Sequence, residues 1–303
     1  MSDASDLPRV LAVPNVSEGR DRGAIGRLET AFSTGCTLLD THSDPTHNRS
    51  VFTVAPGDGA LADALEAGAR ETLGEIDVSD HVGEHPRIGA LDVAPVVYLE
   101  AGAKDEAREQ ALHTADAIAE LGIPVFLYGE LASIPERRER AYFRSGGLPA
   151  LSARMEGGEL QPDRGPAMPH TTAGATLVTA RPPLAAFNME FEGMTLTQAR
   201  AVAAELRESG GGRPGVRAIA LALPDEVTQI STNVHDPIAI PLSEVVARAR
   251  ELAEPHSGVI RAAEIVGLVP EASLRSFPQD VPMLGFDTAA GTIENRLASL
   301  VRK

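Results

Sequence analysis

The densest gathering of groups able to move protons lies in Asp80-His81-Val82-Gly83-Glu84-His85-Pro86-Arg87-Ile88-Gly89. Imidazole titrates near neutrality, so a histidine placed there can take a proton and return it. Pro86 stiffens the chain beside His85, and Glu84 and Arg87 flank it with charges that tune it. A metallic reading also exists, because His81-Val82-Gly83-Glu84-His85 fits H-x-x-E-H, an inverted zinc-protease pattern. That pattern needs a helix carrying both imidazoles on one face. Gly83 weakens a helix there, and Pro86 biases His85 away from helical dihedrals. A zinc hydrolase built on His81, Glu84 and His85 is therefore a distant alternative, and no metal is expected. The plain competitor is a surface loop whose histidines satisfy nearby backbone groups.

Two further polar clusters sit beside apolar runs. Pro14-Asn15-Val16-Ser17-Glu18-Gly19-Arg20 follows the first of them, and its plain reading is a helix N-terminus capped by Ser17 or Asp21. His42-Ser43-Asp44-Pro45-Thr46-His47-Asn48-Arg49 separates two others, and its plain reading is a turn. Each is weak alone. With the His85 segment they point to one site lined by connecting loops of the first half.

The elements that must position these loops follow from periodicity. Val10–Val16 reads as a strand and Arg22–Phe32 as a helix. Cys36–Thr41 and Ser50–Ala55 read as strands, Ala60–Ile76 as a helix, and Val93–Leu99 as a strand. The order β-α-β-β-α-β recurs downstream: a strand at Leu184–Phe191 and a helix opened by Thr195 with Gln198 in capping-box spacing. Strands follow at Val216–Leu223 and Val227–Val234, then a helix from Leu242 to Leu252 and a strand at Val259–Val266. An Ala-rich helix (Asp105–Leu121), a strand (Val125–Tyr128), an Arg-rich stretch (Arg137–Arg144) and a Gly/Pro-rich loop (Gly157–Gly174) lie between the sets. The expected fold is α+β, two ferredoxin-like subdomains with helices on one face of each antiparallel sheet. Residues 8–180 form the first and 181–300 the second.

A formal net charge of −16 argues against nucleic acid or an anionic membrane surface as partner. Specific arginines must then hold any anionic substrate. Cys36, the single cysteine, rules out an internal disulfide and reads as a buried structural thiol. The polar leader has no apolar signal core and no run approaches a membrane span, so a cytoplasmic protein is expected.

The chain resembles the glutamate formimidoyltransferases, which include the formiminotransferase part of animal formimidoyltransferase-cyclodeaminase. The residues that carry the resemblance are Val13-Pro14-Asn15-Val16-Ser17-Glu18-Gly19-Arg20, Asn48-Arg49-Ser50-Val51 and, above all, Gly83-Glu84-His85-Pro86-Arg87-Ile88-Gly89-Ala90-Leu91-Asp92-Val93. Leu38-Leu39-Asp40, Leu127-Tyr128-Gly129-Glu130, Gly165-Pro166, Gly174-Ala175-Thr176, Ala186-Phe187-Asn188, Gln229-Ile230-Ser231-Thr232-Asn233 and Val266-Gly267-Leu268-Val269-Pro270 add to it. It implies transfer of a formimino group from N-formimino-L-glutamate to N5 of tetrahydrofolate, the co-substrate, in histidine breakdown and one-carbon metabolism. It also implies a substrate cleft between the subdomains, a homodimer, and polyglutamyl folate as a partner.

His85 matches the family's catalytic histidine, and Gly165, Pro166, His170 and Gly174 match its folate-binding segment. The animal enzymes carry an acid, proposed to assist catalysis, where this chain has His42; Asp44 or Asp40 is the candidate to replace it. The interior of the folate loop lacks the aromatics of the animal form, which throws contacts onto backbone groups and His170. No cyclodeaminase segment follows, so deamination is expected from a separate protein.

The implied chemistry is attack of an amine nitrogen on an amidine carbon, and one imidazole can serve attack and departure in turn. Arg49 and Arg87 are the expected forks for substrate carboxylates. Arg20 is a further candidate. Asn15, Asn48 and Glu84 are expected to orient substrate or the imidazole. Formyl transfer from 5-formyltetrahydrofolate in the same fold is the alternative.

Overall fold

The structure is a computed structural model and describes residues 7–301. The polar leader at residues 1–6 lies outside the described residues. Two compact units form, one from Pro8 to Arg181 and one from Pro182 onward.

In the first unit Asp21 caps helix α1 (Arg22–Phe32), accepting from the N–H of Gly23 at 2.7 Å and of Ala24 at 3.1 Å. That decides between the two expected caps in favour of Asp21. The first predicted strand is broken into β1 (Val10–Ala12) and β2 (Asn15–Val16). Between Asn15 and Val16 the β2–β5 pairing shifts register, where β5 is Leu91–Tyr98. Strands β3 (Cys36–Asp44) and β4 (Arg49–Pro56) form a hairpin, and α2 (Leu61–Glu75) leads toward β5. Spatial order runs β3, β4, β1/β2, β5, all antiparallel. This is the split-βαβ arrangement the element order predicts.

The sheet then continues. Helix α3 (Lys104–Glu120) carries the chain to β6 (Val125–Leu127), and β7 (Thr176–Arg181) inserts parallel between β5 and β6. Alternation along these strands serves two cores. Ala94, Val96, Val125, Leu127, Val178 and Ala180 join Leu28, Phe32, Leu65, Ala111 and Ile118 of the helices α1, α2 and α3. Val93, Phe126 and Leu177 point the other way, to Phe143, Leu151 and Met155. Those last three lie on α4 (Arg140–Arg144) and α5 (Gly147–Glu156). The extended edge is thus covered on both faces, an addition to the one-faced layering expected, and this brings the Arg-rich stretch against the sheet.

The second unit repeats the motif. Strands β8 (Ala185–Glu192), β9 (Val216–Ala222), β10 (Thr228–Val234), β11 (Val259–Ile265) and β12 (Met283–Leu284) form one sheet in the order β12, β11, β8, β10, β9. Helices α6 (Leu196–Leu206) and α7 (Leu242–Ala253) cover it, with Val202, Leu206, Val245 and Val246 packed against Phe187, Met189 and Ile230. The predicted capping box is present: Thr195 and Gln198 bond each other's backbone at the start of α6. Cys36 is only half-buried, its Sγ near the carbonyls of Gly59 and Ala60, which corrects the expectation of full burial. It opens an exposed strand end, where the apolar run had suggested core. Among the described residues no helix is long and apolar enough to cross a membrane.

Candidate active site

The three polar clusters meet in the first unit, and Asn48 joins them. This residue closes the β3–β4 hairpin with a positive φ of 48°, in a conformation asparagine tolerates better than most. Its side-chain oxygen accepts from the Gly19 N–H at 2.9 Å and its side-chain NH₂ donates to the Val82 carbonyl at 3.1 Å. Gly83 makes the approach possible, since a Cβ there would lie 2.5 Å from the His47 carbonyl oxygen. The His81–Arg87 segment has no helix, so the zinc pattern lacks the face it requires.

His85 is half-buried and sits against a cationic wall. Its Nδ1 lies 3.0 Å from an Arg49 nitrogen and 2.8 Å from the Pro86 carbonyl oxygen. A guanidinium only donates and a carbonyl only accepts, so each contact selects a different neutral tautomer. Donation to Pro86 leaves Nε2 bare, as a base must be. Acceptance from Arg49 leaves the proton on Nε2, as an acid must have it. Loss of hydration on burial, then the charges of Arg49, Arg144 and Arg140 and the neighbouring His47, hold the imidazole well below its ordinary pKa. At neutral pH it is uncharged.

Asp92 anchors this wall. It is fully buried at the start of β5 and accepts from Arg49 at 3.0 Å, from Arg144, and from the Ile88 N–H at 2.9 Å. Burial pushes its carboxyl up, but Arg144, Arg49 and the Ile88 N–H together hold it below the usual range. Burial lowers Arg49 to about 10 against the pull of Asp92, and it also lowers Arg144. Arg181, at the end of β7, is lowered to about 10 by burial as well. Arg49 reaches Asn15 with its second nitrogen, and Asn15 in turn donates to the Val13 carbonyl at 2.9 Å.

The other expected residues have clear positions. Arg87 donates to the carbonyls of His81, Gly83 and His85, bracing the loop from within. Arg20 donates to the Pro45 carbonyl at 2.7 Å. Glu84 is exposed. Asp44 accepts from the backbone of Thr46 and His47 and lies 3.5 Å from His47 Nε2. His47 is buried, and its ring meets that of His85 edge-on with centroids 6.2 Å apart. Asp44 thus stands behind His47, one imidazole away from His85. His42 lies in β3 opposite Val51.

The expected folate segment is clamped to the chain just after His85. Gly89 and Gly174 pair across an isolated bridge, and Ala90 and Ala175 add hydrogen bonds of 2.9 Å on either side. Gly174 has φ +67°, and a Cβ there would lie 2.2 Å from the Ile88 carbonyl oxygen. His170 pairs with Gly174 through both backbone groups, and its Nδ1 accepts from the N–H of Ala173 at 3.1 Å. Gly165 and Pro166 are exposed at the other end of the segment. Gly174→Ala is expected to cost about 1–3 kcal/mol from backbone strain alone, with more from the clash. A urea midpoint equal to wild type would show that this clamp is slack.

Asp92, Arg140, Arg144 and His47 did not stand out in the sequence as site residues. A signal for Asp92 existed: an acid inside the apolar run Leu91–Val97 must be buried, and a buried acid needs a partner. Arg144 could then be sought as that partner, but only the fold of α4 brings it there.

Residues 9–181 match the family model described as the formiminotransferase domain, N-terminal subdomain, and residues 186–277 match that of the formiminotransferase domain. Glutamate formimidoyltransferase of Streptococcus pyogenes serotype M1 is 36% identical over 269 residues, covering 88% of this chain and 90% of that protein. The protein of the same name from Thermoplasma acidophilum is 35% identical over 275 residues, covering 88% and 89%. Formimidoyltransferase-cyclodeaminase of Rattus norvegicus is 36% identical over 275 residues, covering 88% of this chain and 51% of that protein, so the chain spans about half of the animal protein's length. With both subdomain models matched and full-length relatives above 30% identity, the chain belongs to the formiminotransferase family.

Proposed function

We propose that this protein transfers the formimino group of N-formimino-L-glutamate to N5 of tetrahydrofolate, giving 5-formiminotetrahydrofolate and L-glutamate. The observation that carries the reading is an imidazole kept neutral by burial and an arginine wall: His85, with Nδ1 between Arg49 and the Pro86 carbonyl.

With Nδ1–H donated to Pro86, Nε2 accepts the proton that N5 sheds as it attacks the amidine carbon. The resulting imidazolium faces Arg49, so it is a strong acid. It gives the Nε2 proton to the departing glutamate nitrogen, and the C–N bond to glutamate breaks. Holding both substrates in place supplies much of the remaining acceleration. Asn15, Asn48, Arg49 and Arg87 set the imidazole and its loops, Glu84 lies open to the substrate side, and His47 with Asp44 backs the ring. The Gly157–Gly174 segment receives the folate, with Gly165 and Pro166 exposed and His170 and Gly174 fixing its return. The protein acts as a cytoplasmic homodimer in histidine degradation.

Incubating the protein with formiminoglutamate and tetrahydrofolate and following both products tests this; turnover with the 5-formyl compound but not with formiminoglutamate would reject it. The pH profile is a second check. A base with a depressed pKa stays deprotonated through neutrality, so kcat/KM is expected to hold steady down to about pH 6.5, the ordinary imidazole value, and to fall only below it. An acid limb centred above that value contradicts His85 as the base.

A further inference from the structure

Formiminoglutamate carries two carboxylates, and the arginines expected to hold them are already committed. Arg49 serves Asp92, Asn15 and His85, Arg87 serves three backbone carbonyls, and Arg144 serves Asp92. Arg140 is different. Among the described residues its side chain has neither a hydrogen bond nor a carboxylate partner. It opens α4 and Arg144 closes it, so the two side chains leave one face of the helix a turn apart, with Cβ atoms about 5–6 Å from each other.

From Arg144 the contacts run through Asp92 to Arg49 and on to His85. The charge of Arg140 acts on His85, Arg49, Arg144 and Arg181 alike, so it stands close enough for all four to feel it. Like charges at such spacing repel, and Asp92 already answers two of them. An arriving anion would relieve that repulsion and gain from it. The need is acute in a chain of net charge −16, whose overall field opposes an anionic substrate.

We propose that Arg140 binds a carboxylate of the formimino donor, a turn away from the Asp92-anchored Arg144. This rests on the formimino-transfer reading. Substituting Arg140→Gln is expected to raise the donor KM by about 10- to 100-fold, the usual effect of losing a hydrogen bond between charged groups. The tetrahydrofolate KM should move less than about threefold on that account, and Arg140→Lys should recover part of the loss.

Two analogues identify the contact: N-formimino-L-glutamine, without the side-chain charge, and 4-formiminoaminobutyrate, without the α-carboxylate. For one of them Arg140→Gln should add no further loss. If it weakens both by the same factor as the full donor, the effect is a diffuse field and the assignment fails. A variant with normal donor KM, in a wild type that turns over, overturns the assignment alone. A wild type that neither turns over formiminoglutamate nor binds L-glutamate calorimetrically overturns the transfer reading and the assignment together.

Discussion

Replacing His85 with alanine is expected to lower the formimino-transfer rate by about 10²–10⁴-fold, the usual contribution of one general acid/base. The loss should appear in kcat, because the imidazole is needed when N5 loses its proton and the glutamate nitrogen gains one. Binding of either substrate alone should change little. The fold should tolerate the change, since His85 is half-buried and its contacts to Arg49 and Pro86 are peripheral to both cores of the first unit. Removing it also removes an acid-labile group. A histidine held neutral in the fold but free to protonate when unfolded contributes full stability above about pH 6.5 and loses it as pH falls below that value. The alanine variant should therefore lose less stability on acidification than wild type. A fully active His85→Ala protein would end the proposed mechanism.

Much of this was legible from periodicity. The 22–32 helix has the predicted bounds, and both β-α-β-β-α-β sets appear, because each element has one apolar face and a clean stop signal. The β5–β7–β6 extension was not legible. Parallel pairing of β7 between β5 and β6 depends on contacts across more than fifty residues, and local pattern carries no record of them. The site divides in the same way. His85, Arg49, Asn15 and Asn48 stood out as polar residues in loops beside strand ends, and the fold brings them together. Their roles were harder to read. Arg49 and Arg87 look like free forks in a sequence, yet each is satisfied by groups distant in the chain or by carbonyls of its own loop. Arg140 and Arg144 were visible only as part of an Arg-rich stretch, since a short helix against a sheet leaves little periodicity to find.

The Asp92 carboxylate is where the site and the stability of the first unit meet, so Asp92→Ala should be the costliest substitution for folding. Removing it strands two buried guanidinium groups and an N–H donor that it now satisfies. Breaking a buried ion pair from one side costs about 3–5 kcal/mol. For a unit of this size that corresponds to a melting temperature lower by roughly 6–20 °C. The stabilisation comes from a carboxyl whose folded pKa is lowered, so it is present above the ordinary carboxylate range and is lost as pH falls through the depressed value. The gap between wild type and variant should therefore be full at neutral pH and shrink in strong acid.

Function should suffer as well, because Arg49, no longer drawn to Asp92, is free to swing off Nδ1 or to press its whole charge on the imidazole. Asp92→Asn separates the parts: it keeps the volume and one acceptor but not the charge, and should fall between wild type and alanine. Urea denaturation of the three proteins at neutral pH measures the effect. Midpoints that coincide would mean that Arg49 and Arg144 are held by something other than Asp92, and the arginine wall that, after burial, helps to keep His85 neutral would need another anchor.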